Sequence, residues 1–248
     1  MAESLAEFRL RAARCSGGTS SDCIKRLILR MLREQRIEGR ILDFGAGTGA
    51  LINLMSDLEG LELHGADILP RPVALPVHVK WYQGDLNDKL EQLAGYFDAV
   101  ICSEVIEHLE NPRATFRSIN GLLKPRGKLL LTTPNQENIR SYLNLIFRGH
   151  FAQFRGPDYP AHITALLRLD LVRICAETGF SEPRFLYTDD GWMPITRTTW
   201  QKFSFDLLRG RLFSDNLGMA VSKTSDTPKP RAAGDNGAPV NAARAARK

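Results

Sequence analysis

The chain has few of the residues that would mark it as secreted, disulfide-stapled or membrane-spanning. Its four cysteines, Cys15, Cys23, Cys102 and Cys175, are scattered along 248 residues with no C-x-x-C pair. That pattern speaks for reduced thiols and against a zinc ribbon or a disulfide framework. No apolar run approaches the roughly 20 residues needed to cross a bilayer. The opening residues, MAESLAEFRLRAAR, interleave charge with apolar side chains and lack the apolar core of a secretory leader. These absences predict a cytoplasmic protein. Charge of one sign is also scarce. The net charge is +5, and from Thr224 onward five cations face two acids, so the C-terminal tail carries three of those charges. The excess left for the body is too small to favour a polyanion such as nucleic acid. In that tail Val240 is the only large aliphatic residue, too little to offset the entropy of ordering, so residues 224–248 are expected to be disordered.

What is present reads as one α/β domain. Residues 1–37 predict two helices, at about 3–14 and 21–36; the second carries Ile24, Leu27, Ile28, Met31 and Leu32 at helical spacing. Between 38 and 223 strand and helix signals alternate. Strands are expected at 41–44, 61–66, 77–83, 97–102, 127–133, 183–188 and 215–222. Helices are expected at 49–58, 87–93, 112–123 and 167–178. Asn111-Pro112 opens one helix and Gly179 closes another. Such alternation builds a doubly wound, mostly parallel sheet with helices on both faces, binding its ligand outside the carboxyl ends of the strands.

The most informative stretch is Leu42-Asp43-Phe44-Gly45-Ala46-Gly47-Thr48-Gly49, a strand running into a glycine turn and then a helix. Glycines there allow a tight turn and close approach of a ligand, and the helix start offers free N–H groups. Taken alone, Gly45-x-Gly47-x-x-Ala50 also fits a dinucleotide fingerprint, with Asp67 placed to bind a ribose; an NAD(P)-dependent oxidoreductase is therefore an alternative. Acids shift the balance. Asp43 precedes the first glycine, where a pyrophosphate would be repelled. Asp67 closes the second strand and Asp85 the third. A cofactor with an ammonium group, a ribose and adenine but no phosphate suits three acids better, and S-adenosylmethionine (SAM) has that chemistry.

Through LDFGAGTG, GADI, QGDL, FDAVICSEVIEHLENP and LKPRGKLLLTTPN, the sequence resembles the class I SAM-dependent methyltransferases over about residues 38–135. The resemblance implies a Rossmann-like seven-stranded sheet whose last strand is antiparallel. It places Gly45, Gly47 and Gly49 on the methionine side and Asp67 with Ile68 at the ribose. Asp85 and Leu86 would meet the adenine, and Ser103 the methionine moiety. A SAM-binding protein without catalysis is the remaining alternative. Asp98, at the opposite edge of the sheet, reads as structural.

Methyl transfer to a hydroxyl needs somewhere for the proton to go. Glu104, Glu107 and His108 are spaced so that one helical turn would place all three on one face. Two readings stay open. In one, these three bind Mg, Mn or Zn together with His162, a combination resembling that in ubiquinone-biosynthesis O-methyltransferases and small-RNA 3′-terminal 2′-O-methyltransferases. In the other, His108 is a lone base or a pocket wall, with Glu104 as its catalytic neighbour where it is a base, and the glutamates otherwise serve helix capping and surface charge. Two aromatic and basic insertions, at about 136–160 and 190–213, are expected to form a lid over an acceptor pocket, or else a basic amphipathic surface touching a membrane and reaching a lipid-linked acceptor. The arrangement of the first insertion also resembles methyltransferases of bacterial cell-surface glycan pathways, so a small molecule, a quinone precursor or a glycan is the expected acceptor.

Overall fold

Seven strands form one sheet: β1 (Gly39–Phe44), β2 (Leu61–Asp67), β3 (Lys80–Gln83), β4 (Phe97–Ser103), β5 (Leu123–Pro134), β6 (Arg184–Tyr187) and β7 (Asn216–Ser222). The computed structural model describes residues 3–88 and 90–224, so the tail expected to be disordered lies, beyond Thr224, outside the described residues. The spatial order is β3-β2-β1-β4-β5-β7-β6. Only β7 runs antiparallel, wedged between β5 and β6. Strand order reverses between β1 and β4, which opens a crevice at their carboxyl ends.

The sheet is buried on both faces, and the strand sequences show why. Along β5, Leu129 and Leu131 belong to one apolar cluster and Leu130 to the other, the two-residue period of a strand covered on both sides. On the first face lie α4 (Pro112–Leu122) and α6 (Arg168–Thr178), contributing Phe116, Ile119, Leu171 and Ile174. On the second lie α2 (Asp22–Glu34) and α3 (Ala50–Met55), contributing Leu27, Ile28, Met31, Ile52 and Met55. Each such side chain stabilises the fold by roughly 1.5–3 kcal/mol when fully buried. Asn111 caps α4 by accepting the Ala114 N–H at 3.0 Å, and Gly179 closes α6 at φ +81°.

Two expectations fail locally. Among the described residues of 87–93 no α-helix forms, and only a single 3₁₀ turn (Glu91–Leu93) is present; the Asp85 carboxylate accepts the backbone N–H of Asn87 at 2.9 Å. The third strand starts at Lys80 rather than 77, because Val77 is exposed and Val79 N–H closes a turn onto Pro76. The first helix, α1 (Leu5–Cys15), differs from all the others just described in burying none of its residues.

Candidate active site

At the end of β1 the chain turns so that the N–H groups of Gly45 and Ala46 both reach the carbonyl of Ala66, at 2.8 and 3.1 Å. Gly45 has φ +85°, and a Cβ there would lie 2.3 Å from Val105 Cγ2. Gly47 has φ +51°, and its Cβ would lie 2.2 Å from the Gly18 carbonyl oxygen. The protein's own neighbours, not only a ligand, therefore demand glycine here. Gly49 caps α3 against Leu75 and, unlike the other two, does not line the cavity below.

A cavity of about 260 Å³ opens at this turn. Asp43, Asp67 and Asp85 all line it, with Ile68, Leu86 and Ser103 between them. Burial and the neighbouring Asp67 carboxylate push Asp43 up to about 7. Asp67 is also raised by burial, although it accepts the N–H groups of Gly47 at 2.7 Å and Leu69 at 2.8 Å. It thus braces the glycine turn as well as facing the cavity. For Asp85, burial acts upward but hydrogen bonds from Asn87 and Arg9 outweigh it, holding the carboxyl below its usual range. The Ser103 hydroxyl lies 3.1 Å from that of Thr132 and 3.3 Å from that of Ser20. Asp98 pairs with Lys124 and accepts the Arg40 N–H on the far edge, a structural role.

Beyond β4 the three residues expected on one helical face separate. Glu104 takes a left-handed backbone, φ +56°, and a 3₁₀ turn, Ile106–His108, begins two residues later. Glu104 consequently turns toward β7, where its Oε2 accepts Asn216 Nδ2 at 2.7 Å. Glu107, His108 and His162 come together instead, with one ligand atom from each within 4.8 Å of the others. Glu107 is fully buried; Thr133 donates to its Oε2 at 3.0 Å, while Oε1 has no partner. Burial pushes this carboxyl up to about 8. Burial and the Glu107 charge also raise Glu104, whose Oε1 is likewise unpartnered.

Both imidazoles are oriented by carbonyls. His108 Nδ1 lies 2.7 Å from the Ala161 oxygen and His162 Nδ1 lies 2.5 Å from the Gln153 oxygen. A carbonyl can only accept, so Nδ1 carries the proton in each neutral ring; the His108 ring also lies against the backbone carbonyl of Glu104, while Gln153 is, among the described residues, the one backbone acceptor at His162. Burial lowers both rings below the ordinary histidine value, His162 further under the influence of His108. They are therefore neutral near pH 7. Of these four residues, Glu104, His108 and His162 line the cavity; Glu107 stands behind it.

The two insertions are tied to each other by Asp215. Its Oδ2 accepts Arg140 at 2.9 Å and the Trp192 N–H at 3.2 Å, and its carbonyl accepts Gln153 at 3.0 Å. The first insertion contains α5 (Ile139–Arg148), the second α7 (Trp200–Phe203). Sequence reasoning missed Arg9, Gly18, Ser20 and Gln153, all of which line the cavity. No local signal marks them, since each reaches the site through contacts remote in sequence.

Comparison with known proteins bears on the family and the fold. The methyltransferase-domain family matches residues 18–181. A ubiquinone biosynthesis O-methyltransferase of Xanthomonas axonopodis pv. citri (strain 306) is 37% identical over 145 residues, covering 52% of this chain and 60% of that protein. The chain thus spans less than two thirds of the curated relatives it matches. Among solved structures, a SAM-dependent methyltransferase from Archaeoglobus fulgidus has a TM-score of 0.56 at 19% identity, covering 80% of this chain and 94% of that one. The Burkholderia thailandensis 1,6-didemethyltoxoflavin-N1-methyltransferase, solved with S-adenosylhomocysteine, has a TM-score of 0.58 at 14% identity, covering 91% and 93%. At such identities the structural likeness shows the fold, and the family match carries the assignment: this chain belongs to the methyltransferase-domain family, within the class I SAM-dependent methyltransferases.

Proposed function

We propose that the protein binds SAM at the carboxyl ends of β1, β2 and β3 and methylates a hydroxyl group of a small molecule, a quinone precursor or a glycan. One observation carries the reading: a single cavity is lined by the acids at or just past the ends of three strands and, beside them, by two imidazoles whose Nδ1 atoms are held by backbone carbonyls. Bound SAM supplies a methyl group on a sulfonium, so the protein's work is alignment and proton removal. In this reading Asp43 meets the cationic amine, Asp67 the ribose hydroxyls and Asp85 with Leu86 the adenine, and what supports it is that all four line one cavity. Calorimetry with SAM and with NAD(H) tests the cofactor; binding of NAD(H) alone would reverse the assignment in favour of an oxidoreductase. Labelled SAM that binds yet labels no lysate fraction would leave a SAM-binding protein without catalysis.

The group Glu107, His108 and His162 fits a divalent cation. A buried carboxylate oxygen without a partner and two imidazoles held by backbone carbonyls are the donor set and outer support such an ion requires. Mg, Mn or Zn there would lower the pKa of an acceptor hydroxyl. Titrating metal while following thermal unfolding tests this: stabilisation of the wild type that is absent in His162→Ala supports the site. No stabilisation, and activity indifferent to chelator, would leave His108 Nε2 as the base.

The acceptor class rests on the ubiquinone-biosynthesis relatives by name and on exposed apolar surface. Ile146 and Phe147 of α5 are 72% and 79% exposed, and Phe205 is 90% exposed in a stretch of sequence that also carries Lys202 and Arg209. Among the described residues no helix is long and apolar enough to cross a membrane. A peripheral contact that reaches a lipid-linked acceptor fits both facts. Flotation with anionic vesicles at low salt tests it, and absence of binding removes it.

A further inference from the structure

We propose that α1 is a latch over the cofactor cleft, held shut by Arg9, and that it lifts to admit SAM and to release S-adenosylhomocysteine. The inference rests on the SAM reading above. Phe8, Arg9, Ala12 and Ala13 line the same cavity as Gly45 and Gly47 of the glycine turn. Yet none of the 11 residues of α1 is buried, whereas α2 buries Ile24, Leu27, Ile28, Met31 and Leu32. An element with so little buried apolar surface opens at small free-energy cost.

Polar contacts hold it instead. Arg9 Nε and Nη2 each donate to one oxygen of Glu110 at 2.9 Å, and Nη1 donates to Asp85 Oδ2 at 2.7 Å. One guanidinium therefore bridges the acid after β3 to an acid beyond β4, both on the cavity wall. Only a planar fork does this; a lysine ammonium is a single point charge. At its far end α1 runs into Gly17 and Gly18, with φ of +74° and +58°. Past them the chain is fixed, because Gly18 accepts the Thr48 N–H at 2.8 Å and the Ser20 hydroxyl meets that of Ser103. A Cβ at Gly17 would meet nothing within 4 Å. The anchored side of this glycine pair and the unburied side of α1 place a hinge between them.

The latch also shapes the cofactor site. With Asn87 on Oδ1 and Arg9 on Oδ2, Asp85 is ionised and held in one orientation before adenine arrives. Phe8 approaches the Tyr159 ring at 6.3 Å, so the same helix reaches the segment bearing His162. Arg9 is accordingly a positioning residue, acting through Asp85 and α1.

Stopped-flow dissociation of S-adenosylhomocysteine from the full-length protein tests the proposal. Arg9→Ala is expected to release it roughly tenfold faster, as loss of a bidentate charge-assisted pair implies. Arg9→Lys should fall between Arg9→Ala and the wild type. Wild-type release should quicken between about 50 and about 500 mM NaCl, because the Arg9–Glu110 pair, with Glu110 44% exposed, is open to screening, while Arg9→Ala stays flat. Hydrogen exchange in residues 5–15 of the complex should rise in Arg9→Ala. Equal rates and equal salt dependence for wild type and Arg9→Ala would overturn the latch alone. Absence of S-adenosylhomocysteine binding to the wild type would instead overturn the cofactor reading on which it rests.

Discussion

The two halves of the cavity are built differently. On the proposed cofactor side, Asp43 and Asp67 lie at the carboxyl ends of adjacent parallel strands and Asp85 two residues past the end of the next, so the sheet brings them to one edge. On the acceptor side, every important partner is distant in sequence. His162 is oriented by Gln153, His108 by Ala161, Glu104 by Asn216, and the insertions by Asp215. A site made by strand ends is a property of the fold; a site made by loops is a property of one chain. That is why a single sheet serves many methyl acceptors while the cofactor half stays recognisable.

Mutations should separate the halves. The largest effect is expected from His162→Ala, which removes one of the gathered donors and leaves the strand ends untouched. Methyl transfer should fall about a thousandfold while SAM affinity in calorimetry changes little; parallel loss of both would mean the halves are not independent. Asp67→Ala acts on the other half and also unties Gly47. SAM affinity should drop about a hundredfold, since a buried charged acceptor with several donors is lost. Retained affinity would break the assignment of the acids.

Proton linkage sharpens the contrast. Asp43 stands at about 7 in the free protein because burial and Asp67 disfavour its charge. A cationic ligand favours the charged form, so SAM affinity should fall about tenfold per pH unit below that value. Calorimetry across pH 5.5–8 checks this, and a flat profile would remove Asp43 from the amine site. On the acceptor side, Glu107 is raised to about 8, far above its ordinary carboxyl value. The folded state then holds a proton that the unfolded chain has lost. Stability is therefore highest below the ordinary carboxyl range and falls as pH rises through 8, by on the order of a few kcal/mol. Thermal unfolding should show that decline without metal and lose it with a bound divalent ion; the reverse slope would contradict a protonated Glu107.

The smallest effect on the fold is expected at the exposed face. Phe147→Ser should shift stability by less than about 0.5 kcal/mol, because the ring is already in solvent. Its effect on vesicle flotation should be much larger, and equal flotation of both proteins would take Phe147 out of any membrane contact.

Much of the framework was legible because period-two apolar runs and glycine punctuation are local. The strands at 41–44, 61–66, 97–102 and 215–222 lie within or against the observed β1, β2, β4 and β7. The helix expected at 87–93 was not: among its described residues only the 3₁₀ turn Glu91–Leu93 forms. The spacing of Glu104, Glu107 and His108 also misled. Helical spacing assumes a helix, and the left-handed backbone at Glu104 sends its carboxylate to Asn216. Arg9 could not have been found, because nothing in α1 records that two acids from different loops converge beneath it.

By itself the sequence determined the alternation of strands and helices, the glycine turn and the acids at the strand ends, since each depends on neighbours within a few residues. Only the tertiary structure decided which residues share the acceptor end of the cavity. It also decided which carbonyls hold the imidazoles, and what closes the mouth. Those features depend on single carbonyl, side-chain amide and guanidinium contacts across 9 to 112 residues, and no periodicity in a chain encodes where such partners meet.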